Sequence, residues 1–315
     1  MKKTLVAIAA VVATTGAMAD ATITGRFDAA INSTDTATTL GSGPNAGSEV
    51  VVGISEDLGN GLTATAAITI LGSITNMSDT NAGDGFGMYQ SHIGIAGEFG
   101  SAKLGAQWSP MFLTAAISDI SGRWNSSSLA NPNELQNFNS LTYTSPNISG
   151  FTFSYQAQLT DSAAIVASES INRLETGGKA SAYSLTYSSG ALTAAYANSQ
   201  DNYYTNRVYD GGTTNSVANS TLIAVNYDFG VAKLHYGHLV TNVADGSTDV
   251  TSNSYGVTVP LGAFVLGAQN SSNDAGATTN SYIANYSMSK KTTVYFANTD
   301  ASGAKTNQLG ITMTF

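Results

Sequence analysis

From Asp20 to the last residue, side chains alternate between apolar and polar one by one. "ATITGRFDAAIN" places Ile23, Gly25, Phe27, Ala29 and Ile31 on one side and Thr22, Thr24, Arg26, Asp28 and Asn32 on the other. "GLTATAAITI", "MYQSHIGIAG", "AKLGAQW", "FTFSYQAQLT", "TLIAVNYDFG", "SYGVTV" and the final "NQLGITMTF" repeat the pattern. A period of two is that of a β-strand, whose successive side chains point to opposite faces; a helix repeats every 3.6 residues. Almost the whole chain is therefore expected to be sheet.

The connections alternate too. Tight turns rich in Gly, Pro, Asn, Asp and Ser fall at "EDLGNG", "GEFGS", "SPNISG", "SSG", "DFG", "PLG" and "SKK", with longer polar stretches such as "STDTATTLGSGPNAGS" between them. Seven short and eight longer connections predict sixteen antiparallel strands. A propeller would repeat a motif about every 40 residues and a solenoid about every 20 to 30, and neither repeat is present. Strands of about ten residues with one apolar face, and short turns at one rim, describe a barrel that spans a membrane.

The chemistry of the two faces agrees. In a soluble sandwich the polar faces meet water and the apolar faces meet each other. Here the polar faces carry Gln90, His92, Lys103, Gln107, Gln156, Gln158, Asn226, Lys233 and His235, which suits a wet interior. The apolar faces carry rings near strand ends, among them Tyr89, Trp108, Tyr143, Phe151, Tyr187, Phe229, Tyr255 and Tyr286, as expected of girdles at two lipid interfaces.

Lys2 and Lys3, the apolar run "TLVAIAAVVATTG" and the small-residue site Ala17, Met18, Ala19 read as an export signal, residues 1–19, cleaved before Asp20. The run is too short for a membrane anchor. Without Lys2 and Lys3 the chain keeps ten basic against 21 acidic side chains, a net charge of −11, which excludes nucleic acid as a partner. There is no cysteine, so disulfides cannot stabilise the exported chain. Charged residues make up only 10%, where about 25% is usual, so something other than a charged surface meets part of the surroundings. No linker or composition break divides residues 20–315, which read as one domain.

These features together resemble the general porins of Gram-negative outer membranes. "SEDLGNGLTATAAI", "GEFGSAKLGAQ", "NSLTYTSPNISGFTFSYQ" and the terminal "GITMTF" match, in order and spacing, the family's first periplasmic turn, the turn before the constriction loop, the strands after it and the last strand. The resemblance implies an all-β, sixteen-stranded transmembrane antiparallel barrel with its third loop folded inward. It further implies a homotrimer set in outer-membrane lipid and a terminal aromatic, Phe315, read by the barrel assembly machinery. The function implied is passive diffusion of ions and small hydrophilic solutes. A plugged barrel serving as adhesin or receptor is the alternative.

The inward loop has its own local signal. Between "AKLGAQW" and "NSLTYTS" lies the longest connection, roughly Ser109 to Phe138. Ser109 can N-cap with Pro110 at the first helical position, and Asn131, Pro132 and Glu134 make a second capping-box-like start. The acidic segment common in the family's loop is missing, leaving Asp119, Arg123 and Glu134 as the loop's charges. Alternation places Arg26, Lys103 and Lys233 in the lumen, with Asp28, His92 and His235. The transverse field is therefore expected to be weak. For Arg26 and Asp28, an ion pair and a role in selectivity both remain open readings.

An enzyme is not expected, because none of the three histidines lies in a nucleophile motif. No cofactor or metal is expected either: His235 and His238 fall on opposite faces of one strand. The apolar faces of the early strands are small, with Gly25 and Ala29, Ala64 and Ala66, and Ala102 and Ala106, which allows close approach of a second subunit. Lastly, "NQLGITMTF" runs its apolar pattern to the final residue. Chain ends fray unless tied down, so this end is expected to pair with "ATITGRFDAAIN" and close the ring.

Overall fold

The computed structural model describes residues 19–42, 47–72, 87–121, 136–159, 180–201, 217–243 and 249–315. Its strands are β1 (Asp20–Thr34), β2 (Thr38–Gly41), β3 (Ser48–Gly59), β4 (Leu62–Gly72), β5 (Gly87–Gly97), β6 (Gly100–Trp108), β7 (Gln136–Thr144), β8 (Phe151–Gln158) and β9 (Ala180–Ser189). They continue as β10 (Leu192–Asp201), β11 (Val217–Asp228), β12 (Lys233–Val243), β13 (Val250–Leu261), β14 (Phe264–Asn273), β15 (Thr278–Ser287), β16 (Thr292–Ala301) and β17 (Ala304–Thr314). Among the described residues, a short helix, α1 (Pro110–Ala115), and a 3-10 turn (Ala116–Ser118) follow β6. The expected export signal falls on residues outside those described, apart from Ala19.

From β3 onward each strand pairs antiparallel with the next, and β17 pairs with β1 over Thr306–Thr314 opposite Arg26–Thr34. β2 and β3 lie along the same edge of β1: Ala30–Ser33 face Thr38–Gly41, and Asp20–Arg26 face Glu49–Ser55. They are one strand position in two pieces, so the seventeen segments form a closed ring of sixteen. All seven expected tight turns are present. Two more occur at the opposite rim, where longer loops were expected, at Asp274–Ala277 and Ser302–Gly303. The second is a two-residue turn in which both residues have positive φ, 52° and 96°, and Asp300 Oδ1 accepts from Gly303 N at 2.8 Å. Such turns match the twist of a hairpin and need Gly or a small polar residue.

The faces invert the rule for a soluble protein. Large apolar side chains are exposed along one face of the strands, including Ile23 at 66%, Ile93 at 63% and Leu309 at 55%. Polar side chains of the other face are buried: Ser48, Gln156, Ser254 and Ser271 are at 0% and Gln269 at 3%. Lipid in contact with the first face accounts for this arrangement and water outside does not. Rings pair on the outer face, Phe151 with Tyr187, Tyr227 with Phe229 and Phe264 with Tyr286, with centroids 4.6–4.7 Å apart.

The closing seam is reinforced on both faces. Outside, Phe315 stacks on Phe27 at 5.5 Å, and its backbone exchanges hydrogen bonds with Gly25. Inside, the ring of Tyr295 on β16 lies across Gly310 on β17 and donates its hydroxyl to Asp28 on β1, 3.0–3.1 Å from both carboxylate oxygens. Thr312 on β17 donates to the same carboxylate, which is fully buried. Only glycine fits beneath the ring, since a Cβ at 310 would stand 2.3 Å from the Tyr295 hydroxyl.

A hydrogen bond to a buried charge is worth about 1.5–3 kcal/mol. Tyr295→Phe keeps the ring over Gly310 but removes that donor, and is expected to lower the temperature at which the folded band disappears in a heat-modifiability gel. Gly310→Val, which evicts the ring as well, should lower it further. An unchanged midpoint for both variants would show that the seam does not depend on this contact.

Candidate functional site

The described part of the β6–β7 connection, Ser109–Ser121, lies against the inner face of the wall. Its helix forms where expected: Ser109 Oγ accepts from Phe112 N at 3.0 Å, and Pro110 opens the first turn. Trp108, expected in a girdle, stacks on Phe112 at 4.6 Å and meets Tyr89 edge-on. Met111 and Ala115 bury themselves against Ala197, Leu222 and Leu239 of β10, β11 and β12. These wall residues alternate with the exposed Tyr196 and Ile223, so they face inward.

Past the helix the wall holds the loop by its backbone. Gln269 on β14 donates through Nε2 to Ser118 O at 2.9 Å and accepts from Ile120 N at 3.0 Å. A second Nε2 bond to Ser254 Oγ orients the amide. Asn226 on β11 donates to Ile117 O at 3.3 Å, and His235 on β12 approaches the same oxygen through Nδ1 at 3.3 Å. Between these anchors Ile120 packs with Ile283 and Ala297. It occupies a socket opened by Gly256 and Gly267, where added Cβ atoms would stand 2.5 and 3.2 Å from its methyl carbons. Inward-facing amides that would otherwise meet pore water thus read a loop's peptide groups in both directions.

Two of the charged residues expected in the lumen sit in ion pairs. Arg26 donates from Nη1 to Glu49 Oε1 at 2.9 Å and from Nε to Gly47 O at 3.0 Å. Glu49 sits directly across from it on β3. Asp28 is bound into the seam. Lys233 lies 3.9 Å from Asp228, its cross-strand neighbour, in a partly exposed pair. Asp119 is 2% exposed and accepts at 2.6 Å from both the backbone N and the hydroxyl of Ser121, closing its own turn. Lys103 and His92 stand on the inner wall of β6 and β5, and Lys103 has no ion-pair partner among the described residues. His238 turns away from His235 and bonds Asn253 at 2.8 Å. Arg123 and Glu134, with the second helical start at Asn131 and Pro132, lie outside the described residues.

Sequence reading missed Glu49, Asp228, Asn226, Gln269 and Tyr295 as partners. Glu49 and Asp228 were accessible in principle, because a register placing Arg26 and Lys233 also places their cross-strand neighbours. Gln269 and Asn226 were not, since their partners are backbone atoms of a loop more than 100 residues away.

Comparison with known proteins agrees with this architecture. A family model described as Gram-negative porin matches residues 6–304. Outer membrane porin protein 32 of Delftia acidovorans is 29% identical over 285 residues, spanning 83% of this chain and 77% of its own length. The anion-selective porin from Comamonas acidovorans superposes with a TM-score of 0.74 at 20% identity, covering 94% of this chain and 100% of its own. A loop-deletion mutant of OmpT, an outer membrane protein of Vibrio cholerae, gives 0.68 at 14% identity over 94% and 99%. With its closed barrel, exposed apolar belt and buried polar lining, this chain belongs to the Gram-negative porin family and is a channel protein of the bacterial outer membrane.

Proposed function

We propose that this porin is a passive diffusion pore for ions and small hydrophilic solutes, narrowed by the β6–β7 loop, working as a homotrimer and performing no bond chemistry. The observation that carries the reading is the segment Ser109–Ser121, fixed against an inner wall of buried polar side chains. A loop held at many points sets a size limit, whereas a mobile one would not. The trimer reading rests on the outer face of the early strands. There Ala66 floors a groove of ≈340 Å³ between Val52, Ile54, Ile68, Ile93 and Leu104, a shape that accepts side chains of a neighbouring copy. In planar bilayers the purified protein should insert in conducting units whose voltage closures come in threes. Folded trimers that give no conductance steps would sink the pore reading.

The field across the pore is proposed to be weak, because among the described residues Arg26 and Lys233 face Glu49 and Asp228. Reversal potentials in a salt gradient should then show only mild ion preference, and Lys103→Glu should shift them toward cations. A potential indifferent to that change would remove Lys103 from the ion path.

Loop anchoring has a separate readout. Gln269→Leu leaves Ser118 O and Ile120 N without their partner, at about 1–3 kcal/mol for a buried group. Hydrogen exchange of the Ile120 amide should quicken by about tenfold or more. Exchange equal to that of the native protein would mean that other contacts hold the loop.

Phe315 is proposed as the group that the barrel assembly machinery reads, after export and cleavage before Asp20. Mass spectrometry of the purified protein should show a chain starting at Asp20. Deleting Phe315 should reduce the amount of folded protein in the membrane several-fold while leaving the conductance of inserted molecules near normal. A deletion that assembles at native yield would rule this role out.

A further inference from the structure

Lys103 opens onto a recess of ≈430 Å³ in the inner wall, among Asp20, Thr22, Ser55, Thr65 and His92. The register explains the hollow. Gly53 faces Thr22 on one side and Ala67 on the other, Ala67 faces His92, and Gly94 faces both Thr65 and Lys103. Three neighbouring strands thus place small residues side by side beneath a rim of longer polar ones. The lysine stem lies along Gly94, where a Cβ would stand 2.8 Å from its Cγ.

Two observations in this recess point to a ligand. The first is the lysine charge, which has no ion-pair partner among the described residues although a carboxylate, Asp20, shares the rim. The second is a pair of polar atoms, Thr65 Oγ1 and His92 Nδ1, both shut away from solvent with no hydrogen-bond partner. Unsatisfied buried polar groups are rare and call for an explanation. Two in one wall, beside a lone ammonium, form a set rich in donors. Cleavage before Asp20 would add an α-ammonium to the same rim and offset the Asp20 carboxylate.

We propose that this recess is a docking site for a small oxyanion, such as the carboxylate or phosphate group of a permeating solute. Lys103 is the charge partner, and Thr65 and His92, which line the recess, supply hydrogen-bond donors when their buried polar atoms turn to the ligand. An ammonium offers three donors and no acceptor, and charge-assisted bonds to an oxyanion are about twice as strong as neutral ones. The site lies three residues above the β5–β6 turn, at the short-turn end of the barrel, so a solute would meet it near one mouth. The proposal rests on the pore reading, since the inner wall must be reachable, and gives that pore a substrate class.

The test uses inorganic phosphate with the full mature protein folded in detergent, read by broadening of the phosphorus resonance, and in bilayers, read by loss of chloride conductance. Both effects should saturate with phosphate. Lys103→Met should weaken binding by at least about tenfold, Lys103→Arg should largely restore it, and Lys233→Met, altering a lysine already facing an acid, should leave it unchanged. A heat-modifiability gel confirms that each variant is folded. Broadening that fails to saturate, that survives Lys103→Met, or that falls equally with Lys233→Met overturns the site. Saturable binding by a protein that never conducts would refute the pore and leave the recess standing.

Discussion

Everything in this protein depends on the absence of water around its middle. In hydrocarbon, each unpaired backbone N–H or C=O costs several kcal/mol, so a sheet with two free edges cannot remain there. β17 therefore has one acceptable neighbour, and its pairing with β1 turns sixteen strand positions into a ring. Once the ring exists, the two-residue alternation of the sequence divides into an outside and an inside. Exposed isoleucines and buried serines and glutamines are consequences of that closure.

The inside solves a different problem. A wet channel gives a loop few places to bury apolar surface against its wall, so this loop is held by a few local apolar contacts and by hydrogen bonds. Met111 and Ala115 meet a small apolar patch of the wall, Ile120 enters a space that two glycines leave open, and Gln269 supplies both an acceptor and a donor to passing peptide groups. The loop's Asp119 closes its own turn, and Arg26 and Lys233 lie opposite acids on the neighbouring strand position.

The fold was largely legible in the sequence, because a period of two and the position of tight turns are local properties. The helix at Pro110 was legible for the same reason: Ser109 and Pro110 are adjacent capping signals. What alternation supplies is a face, and it is silent on how far a side chain reaches sideways. Tyr295 could be placed inward, but not across β17 onto Asp28. Asp28 was read beside Arg26, its neighbour two residues away, whereas its buried contacts come from Tyr295 and Thr312. The break between β2 and β3 and the extra residues that shift register at Gly105 and Ile70 also left no mark in the pattern. The recess beside Lys103 was hidden for a related reason. It arises from Gly53, Ala67 and Gly94 lying next to one another on three strands, which is a property of register and not of any one strand.

The carboxylate of Asp28 makes the barrel a record of its own assembly. Its donors Tyr295 and Thr312 stand 267 and 284 residues further along the chain, so they arrive last. A ring left open takes both of these donors away from the acid. A ring closed with β17 slipped by two residues against β16 brings Gln308 or Thr312 beneath the tyrosine ring, where a Cβ has no room. Both errors are felt at one point, and neither is graded: the donors either reach the acid or do not. Correct closure is thus separated from its nearest mistakes by a step, which lets a membrane barrel with no cysteines distinguish a finished molecule from an almost finished one.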